Sequence, residues 1–214
     1  MGTPCKALGR TTLGLGAAVR EVRAGQVVLS TGETLRAREV VVAVEAGAEA
    51  ALGLAGVRSE VAWRGVSCVQ WAAERSPLGG EPVLWLNGTG RGRVNTVVVP
   101  SDVAAGYAPE GKALVSTTVL GQPGPGGAQE DGALVTDLRA ELAAYFGAEV
   151  GGWRPLAVQR IRRALPVVTS PGRGGVPERS DAGVWRCGDC VASASIQGAM
   201  ASGTAVAAAI LKRG

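Results

Sequence analysis

Apolar and polar residues alternate from Val19 to Leu29 (VREVRAGQVVL), with a break at Ala24-Gly25. A period of two is the mark of a half-buried strand, and a glycine-containing break between two such runs predicts a β-hairpin. Ser30 to Glu33 is a second turn. Leu35 leads into Val40-Val41-Val42-Ala43-Val44, which is apolar without alternation. That pattern predicts a strand covered on both faces, as in a parallel sheet. Glu45 to Leu54 is Ala-rich and reads as helical. From Val57 the texture changes. Strands are expected at Val66–Trp71, Val83–Leu86, Asn95–Val99 and Leu114–Leu120, separated by the turn signals Pro77 to Gly80, Asn87-Gly88, Pro100 to Asp102 and Pro109 to Gly111. Short strands at this spacing imply a mainly antiparallel sheet.

Gln122 to Asp131 is rich in Gly and Pro and reads as a loop. From Gly132 to Phe146 the spacing of Leu134, Val135, Leu138, Leu142 and Tyr145 predicts a helix closed by Gly147. Ala157 to Ile161 alternates again and returns as a strand. Leu165-Pro166 and Ser170 to Asp181 read as a linker. Gly183 to Asp189 predicts a short strand ending in Gly-Asp, and Ser195 to Lys212 a helix full of small residues. Lys212 and Arg213 suit the negative end of its dipole. Nothing repeats. The expected fold is α/β with an α+β insertion. Residues 1–56 and 166–214 would form one domain around an inserted unit at 57–165, a mixed, mainly antiparallel sheet with a flanking helix.

Composition narrows the chemistry. The chain has 214 residues, of which 46% are hydrophobic and 19% charged, enough for one or two folded domains with a real core. Aromatics are 4%, so that core is mostly Ala, Val and Leu. There is no His, which excludes Ser-His-Asp triads, His general bases and His metal ligands. No metal site is expected. The net charge of +4 is dispersed, and its densest cluster, Arg160, Arg162 and Arg163, alternates with apolar residues along a strand. Nucleic acid is therefore not an expected partner. No apolar run reaches 18 residues, and no signal-peptide pattern opens the chain.

Gly14-Leu15-Gly16-Ala17-Ala18-Val19 resembles the start of a dinucleotide fingerprint. It lacks the third glycine, no strand precedes it, and a hairpin rather than a helix follows. Asn87-Gly88-Thr89-Gly90 reads as a hairpin turn. Cys187-Gly188-Asp189-Cys190 is a CxxC, compatible with a thiol redox pair or with two small residues flanking a functional Gly-Asp. The strongest signal runs from Gly188-Asp189 to Ser195-Ile196-Gln197-Gly198-Ala199: a strand end, an acid, a short loop and a helix N-terminus. Free N–H groups and partial positive charge at such an end attract anions, and an aspartate before it can accept hydrogen bonds from ribityl or ribose hydroxyls. Gly198 and Ala199 would keep side chains out of the way of a large flat ligand. A capped helix packed on a sheet is the alternative.

The stretch GVWRCGDCVASASIQGAMASGTAVAAAI resembles the closing motif of the flavin amine oxidase and phytoene desaturase superfamily, and AVREVRAGQVVLSTGETLRAREVVVAVEA is similar to its hairpin and following strand. LWLNGTGRGRVNTVVVPSDVAAGYAPEGKALVSTTVLG and the later ALP are similar to a desaturase-like subgroup. The resemblance implies an FAD-dependent oxidoreductase with a partial, Rossmann-like FAD-binding domain built from both chain ends. It implies that Gly188 and Asp189 contact the ribityl or pyrophosphate region. Ser195, Ile196, Gln197 and Ala199 would meet the flavin at the helix N-terminus, the Ile196 and Gln197 amides facing its pyrimidine edge. Val19 would contribute backbone contacts to adenine, and Ala43 would end a strand near the cofactor. The inserted unit would be the substrate domain, for a small, apolar molecule. Family members carry a strand-GxGxxG-helix unit and an acidic residue for the adenosine ribose; this sequence has neither. A separate N-terminal FAD-binding half is therefore an expected partner. The alternatives are a non-catalytic remnant that holds no FAD alone and a CxxC thiol protein. Catalytic residues are not assigned, Lys112 included. Trp63, Trp71 and Trp85 are expected in the core or on a sheet face. Cytoplasm or plastid are the compartments the resemblance suggests.

Overall fold

The computed structural model describes residues 11–45, 47–54, 62–121, 124–167 and 177–213. It divides into two units, Met1–Val61 with Val168–Gly214, and Ala62–Val167. The architecture is mixed α/β with antiparallel sheets and few helices.

In the first unit the alternating segment forms β1 (Val19–Arg23) and β2 (Gln26–Leu29), joined at Gly25, and Ser30 to Glu33 turns the chain into β3 (Thr34–Arg36). Gly14 to Ala18 runs as a turn into β1 with no helix behind it, so the partial fingerprint is not a nucleotide loop. The apolar run at 40–44 contributes only β4 (Val41–Val42), which pairs in parallel with β11 (Trp185–Arg186). β10 (Glu178–Arg179) completes this sheet in the order β10-β11-β4, from strand segments far apart in the chain. Two expectations are corrected here. The strand is not covered on both faces, since Val40 and Val42 are buried while Val41 is 43% exposed. The predicted Gly183–Asp189 strand is paired only at Trp185–Arg186, because Gly188 leaves the ladder. The helix expected over Glu45–Leu54 shrinks to α1 (Ala48–Ala51), ended by Leu52 and Gly53. Val22, Val40, Val42, Leu54 and Val184 share one core.

The second unit is a sheet with the order β6-β7-β8-β5-β9, covered on one face by a helix. Its strands are β5 (Trp63–Ala73), β6 (Leu84–Leu86), β7 (Val94–Val98), β8 (Ala113–Leu120) and β9 (Arg154–Pro166). β5 shows why it folds as it does. Ser67, Val69, Trp71 and Ala73 are buried, and the residues between them are not. Helix α3 (Ala128–Phe146) lays Leu134, Leu138 and Leu142, one turn apart, on that face. Burying each such Leu contributes roughly 1.5–3 kcal/mol. Trp71 and Trp153 lie in this core, Trp85 is half-buried against it, and Trp63 lies near the Arg163 guanidinium.

The loop expected at Gln122–Asp131 is corrected at its end, since α3 begins at Ala128. Glu130 and Asp131 suit the positive end of the helix, and Asp131 Oδ1 accepts from Arg160 at 3.0 and 2.7 Å. Leu165-Pro166 is corrected too: it ends β9, where Pro166 faces Trp63 and the Val167 N–H donates to the Ala62 carbonyl at 2.8 Å. Much of the Ser170–Asp181 linker lies outside the described residues. Helix α2 (Pro100–Val103) and a 3-10 turn at Ala105–Tyr107 lead into β8. Asn87 closes the β6–β7 loop, donating from Nδ2 to the Arg91 and Val94 carbonyls at 2.7 and 2.8 Å. No described helix is long and apolar enough to cross a membrane.

Candidate functional site

The parallel pair β4 and β11 brings two strand ends to the same edge. The Cys187 N–H donates to the Val42 carbonyl at 3.0 Å, the last bond of the ladder. Gly188 then turns the chain at φ 137°, a conformation that side chains rarely adopt. Its N–H donates to Ser202 Oγ at 2.9 Å, and the Ser202 hydroxyl reaches the Ala199 carbonyl at 2.8 Å and the Gly188 carbonyl at 3.1 Å. Ser202 is buried on helix α4 (Ile196–Leu211), so this one side chain ties the helix to the strand end.

Ser195 caps α4. Its Oγ accepts from the Gly198 N–H at 3.0 Å, its carbonyl accepts from Ala199, and its own N–H donates to Ser193. A helix start exposes several N–H groups with no partner inside the helix. Here the cap takes two of them, at Gly198 and Ala199. The Ile196 and Gln197 amides have no hydrogen-bond partner among the described residues. The Asp189 carboxylate, half-buried in the loop before the helix, likewise makes no hydrogen bond or ion pair there. Gly198 serves a different purpose from the one its sequence suggests. A Cβ on it would clash with the Ser193 carbonyl oxygen, so its missing side chain admits the Ser193 backbone.

Gly188, Asp189, Ser195, Ile196, Gln197 and Ala199 thus fall on one short stretch. Ala43 lies exposed just past β4, and the Val44 carbonyl sits 3.6 Å from where a Gly188 Cβ would be. Val19 stands apart, at the start of β1 opposite Leu29 in the other sheet of this unit.

Beneath the loop is a buried ion pair that sequence reading missed. Glu49, on α1, is 3% exposed, and its carboxylate accepts from Arg186 Nε at 2.9 Å and Nη2 at 2.5 Å. Arg186 Nη1 also reaches Glu178 at 2.5 Å. The hydrogen bonding of Arg186 to Glu49 outweighs burial and raises the Arg186 pKa above its ordinary value. The available signal was an acid inside the short Ala-rich helix, matched by a base in a strand otherwise apolar.

The same surroundings bear on the CxxC. Cys187 and Cys190 are free thiols. Burial first and Glu49 second push the Cys190 thiol up to about 11, and the same two causes raise Cys187. A reactive thiol needs the opposite shift. Among the described residues no cluster of three or more Cys, Asp or Glu could hold a metal. Alkylation of the folded chain by iodoacetamide, followed site by site by mass spectrometry, is expected to accelerate at Cys190 about tenfold per pH unit up to pH 10. A plateau near pH 8.5 would mean an unperturbed thiol. The folded-state pKa is raised, so the associated stability is complete below the unfolded thiol's value and is lost as pH rises toward 11.

A family model for flavin containing amine oxidoreductases matches residues 3–211. The chain belongs to that family. No curated protein matches it in sequence. Solved structures resemble it in fold. An oxidoreductase from Methanosarcina mazei superposes with a TM-score of 0.69 at 16% identity, over 90% of this chain and 49% of that one. For a reduced UDP-galactopyranose mutase the figures are 0.54, 12%, 73% and 36%. For glycine oxidase from Geobacillus kaustophilus they are 0.50, 18%, 92% and 47%. The chain spans about half the length of the Methanosarcina mazei oxidoreductase and of the glycine oxidase. Flavin is the cofactor of this family of oxidoreductases.

Proposed function

We propose that this chain supplies the strand-end and helix-start side of an FAD site in an amine oxidase or desaturase-like oxidoreductase. Residues 1–56 and 166–214 form part of a Rossmann-like FAD-binding domain, and residues 57–165 form the substrate domain. The observation that carries this reading is the set of hydrogen-bonding groups left open at the C-terminal edge of β4 and β11. Open α/β sheets bind ligands at the carboxyl ends of their parallel strands. Here a carboxylate and two amides with no partner among the described residues stand at such an edge, and these suit a cofactor that offers hydroxyl donors at one part and carbonyl acceptors at another.

Asp189 accepts hydroxyl protons of the ribityl chain, and Gly188 lets the backbone come close. The Ile196 and Gln197 amides hold the pyrimidine edge, and the positive end of α4 favours negative charge there. Ser195 and Ser202 position these groups. Bound flavin supplies the hydride-accepting chemistry; the protein binds and orients it. The sequence contains no strand-GxGxxG-helix unit, so full affinity requires that unit from elsewhere. The competing reading, a chain that holds no FAD, rests on the same missing unit.

FAD fluorescence quenching tests both. The purified chain, with and without a co-expressed half carrying the glycine-rich unit, is titrated with FAD. Saturable quenching is expected in the presence of that half, with Asp189→Ala weakening it at least about tenfold, in line with a hydrogen bond to a charged group. No saturable quenching in either preparation would favour the non-binding reading.

A further inference from the structure

We propose that the sheet of the second unit carries, on the face turned away from α3, a binding site for a small carboxylate with an apolar or aromatic body. Trp71 and Ala73 point into the core, so Ala72 between them points to the opposite face. Its registered neighbours are Leu114 on β8 and Arg154 on β9. Leu114, Ala72 and Arg154 therefore form one row across three strands, with the smallest side chain in the middle. A groove of about 550 Å³ stands over this row, walled by Tyr107 and Leu156, both exposed. That is within the range of small-molecule pockets, about 300–1,000 Å³.

The charges lining the groove choose the ligand. Lys112 and Glu74 are spent on each other at 2.5 Å. The Arg154 guanidinium makes no hydrogen bond or ion pair among the described residues. A free guanidinium beside an apolar floor selects a planar anion, which it grips with two parallel hydrogen bonds. In the next row Gln70 donates to Ser116 at 3.0 Å, which leaves the groove neutral on that side. The inference concerns this unit alone and does not need bound flavin, so its success or failure is separate from that of the flavin reading.

The test is calorimetric titration of the 214-residue chain with 4-phenylbutyrate and with its neutral amide. The acid is expected to bind at least tenfold more tightly than the amide. Arg154→Gln should erase that preference, and Arg154→Lys should restore part of it. Ala72→Phe, which fills the groove, should weaken both ligands. Matching thermal transitions identify variants that retain the fold. No binding of the acid, equal affinity for acid and amide, or a preference that survives Arg154→Gln would overturn the proposal.

Discussion

Replacing Glu49 by Ala is expected to cost about 3–5 kcal/mol of stability, the loss seen when one partner of a buried ion pair is removed. The reason lies at Arg186. Its guanidinium makes two hydrogen bonds to the Glu49 carboxylate, and among the described residues Glu178, half-exposed, shares the charge. With Glu49 gone, a largely buried cation keeps its charge and loses its main partner. Glu49→Gln retains a hydrogen-bond acceptor and should lose less. The double variant Glu49→Leu/Arg186→Met should recover most of the loss, because apolar replacement of a whole buried pair is often neutral. Urea unfolding of the three variants decides. A loss below about 1 kcal/mol for Glu49→Ala would place the pair among surface ion pairs in its energetics. Because β11 carries Arg186 and leads directly to Gly188 and Asp189, the same variant should also weaken FAD binding if the flavin reading holds.

Trp71→Ala is the second large effect, expected at about 3–5 kcal/mol from lost burial and the cavity left behind. Trp71 is fully buried between the sheet and α3, and its ring meets Trp153 edge-on at 6.3 Å with the Arg139 guanidinium 5.3 Å from its centre. Its indole Nε1 donates to Thr117 Oγ1 at 3.1 Å, and Thr117 is itself fully buried. Trp71→Phe keeps most of the ring contact but leaves the Thr117 hydroxyl short of its donor, a loss of about 1–3 kcal/mol. Trp71→Phe combined with Thr117→Val should cost less than the two changes added separately. Strict additivity in denaturant unfolding would show that the indole–hydroxyl bond carries no coupling.

Much of this molecule was legible from local pattern. The alternation in Val19–Leu29 gave the hairpin, and the spacing of Leu134, Leu138 and Leu142 gave the helix that covers the sheet. Both signals are periods in which a residue's burial depends on near neighbours. The closing motif pointed to the flavin family, and the family match covers nearly the whole chain. What was misjudged depended on distant partners. The Gln122–Asp131 segment looked like loop because of its glycines, yet Arg160, 29 residues beyond Asp131, helps hold its end as the first turn of α3. Leu165-Pro166 looked like linker, yet pairing with Trp63 makes it strand.

The candidate site divides in the same way. Asp189 and the helix start after it could be read from a contiguous stretch, because a strand end, an acid and a capped helix follow one another along the chain. The chain order alone determined those elements, the absence of histidine chemistry and the alternation that builds each sheet. Only the tertiary structure decided that Gly198 makes room for Ser193, that Ser202 ties α4 to Gly188, and that Glu49 and Arg186, 137 residues apart, neutralise each other beneath the loop. The physical reason is separation. Periodicity and capping act over a few residues, whereas a buried charge or a close backbone approach depends on a partner that only folding brings near.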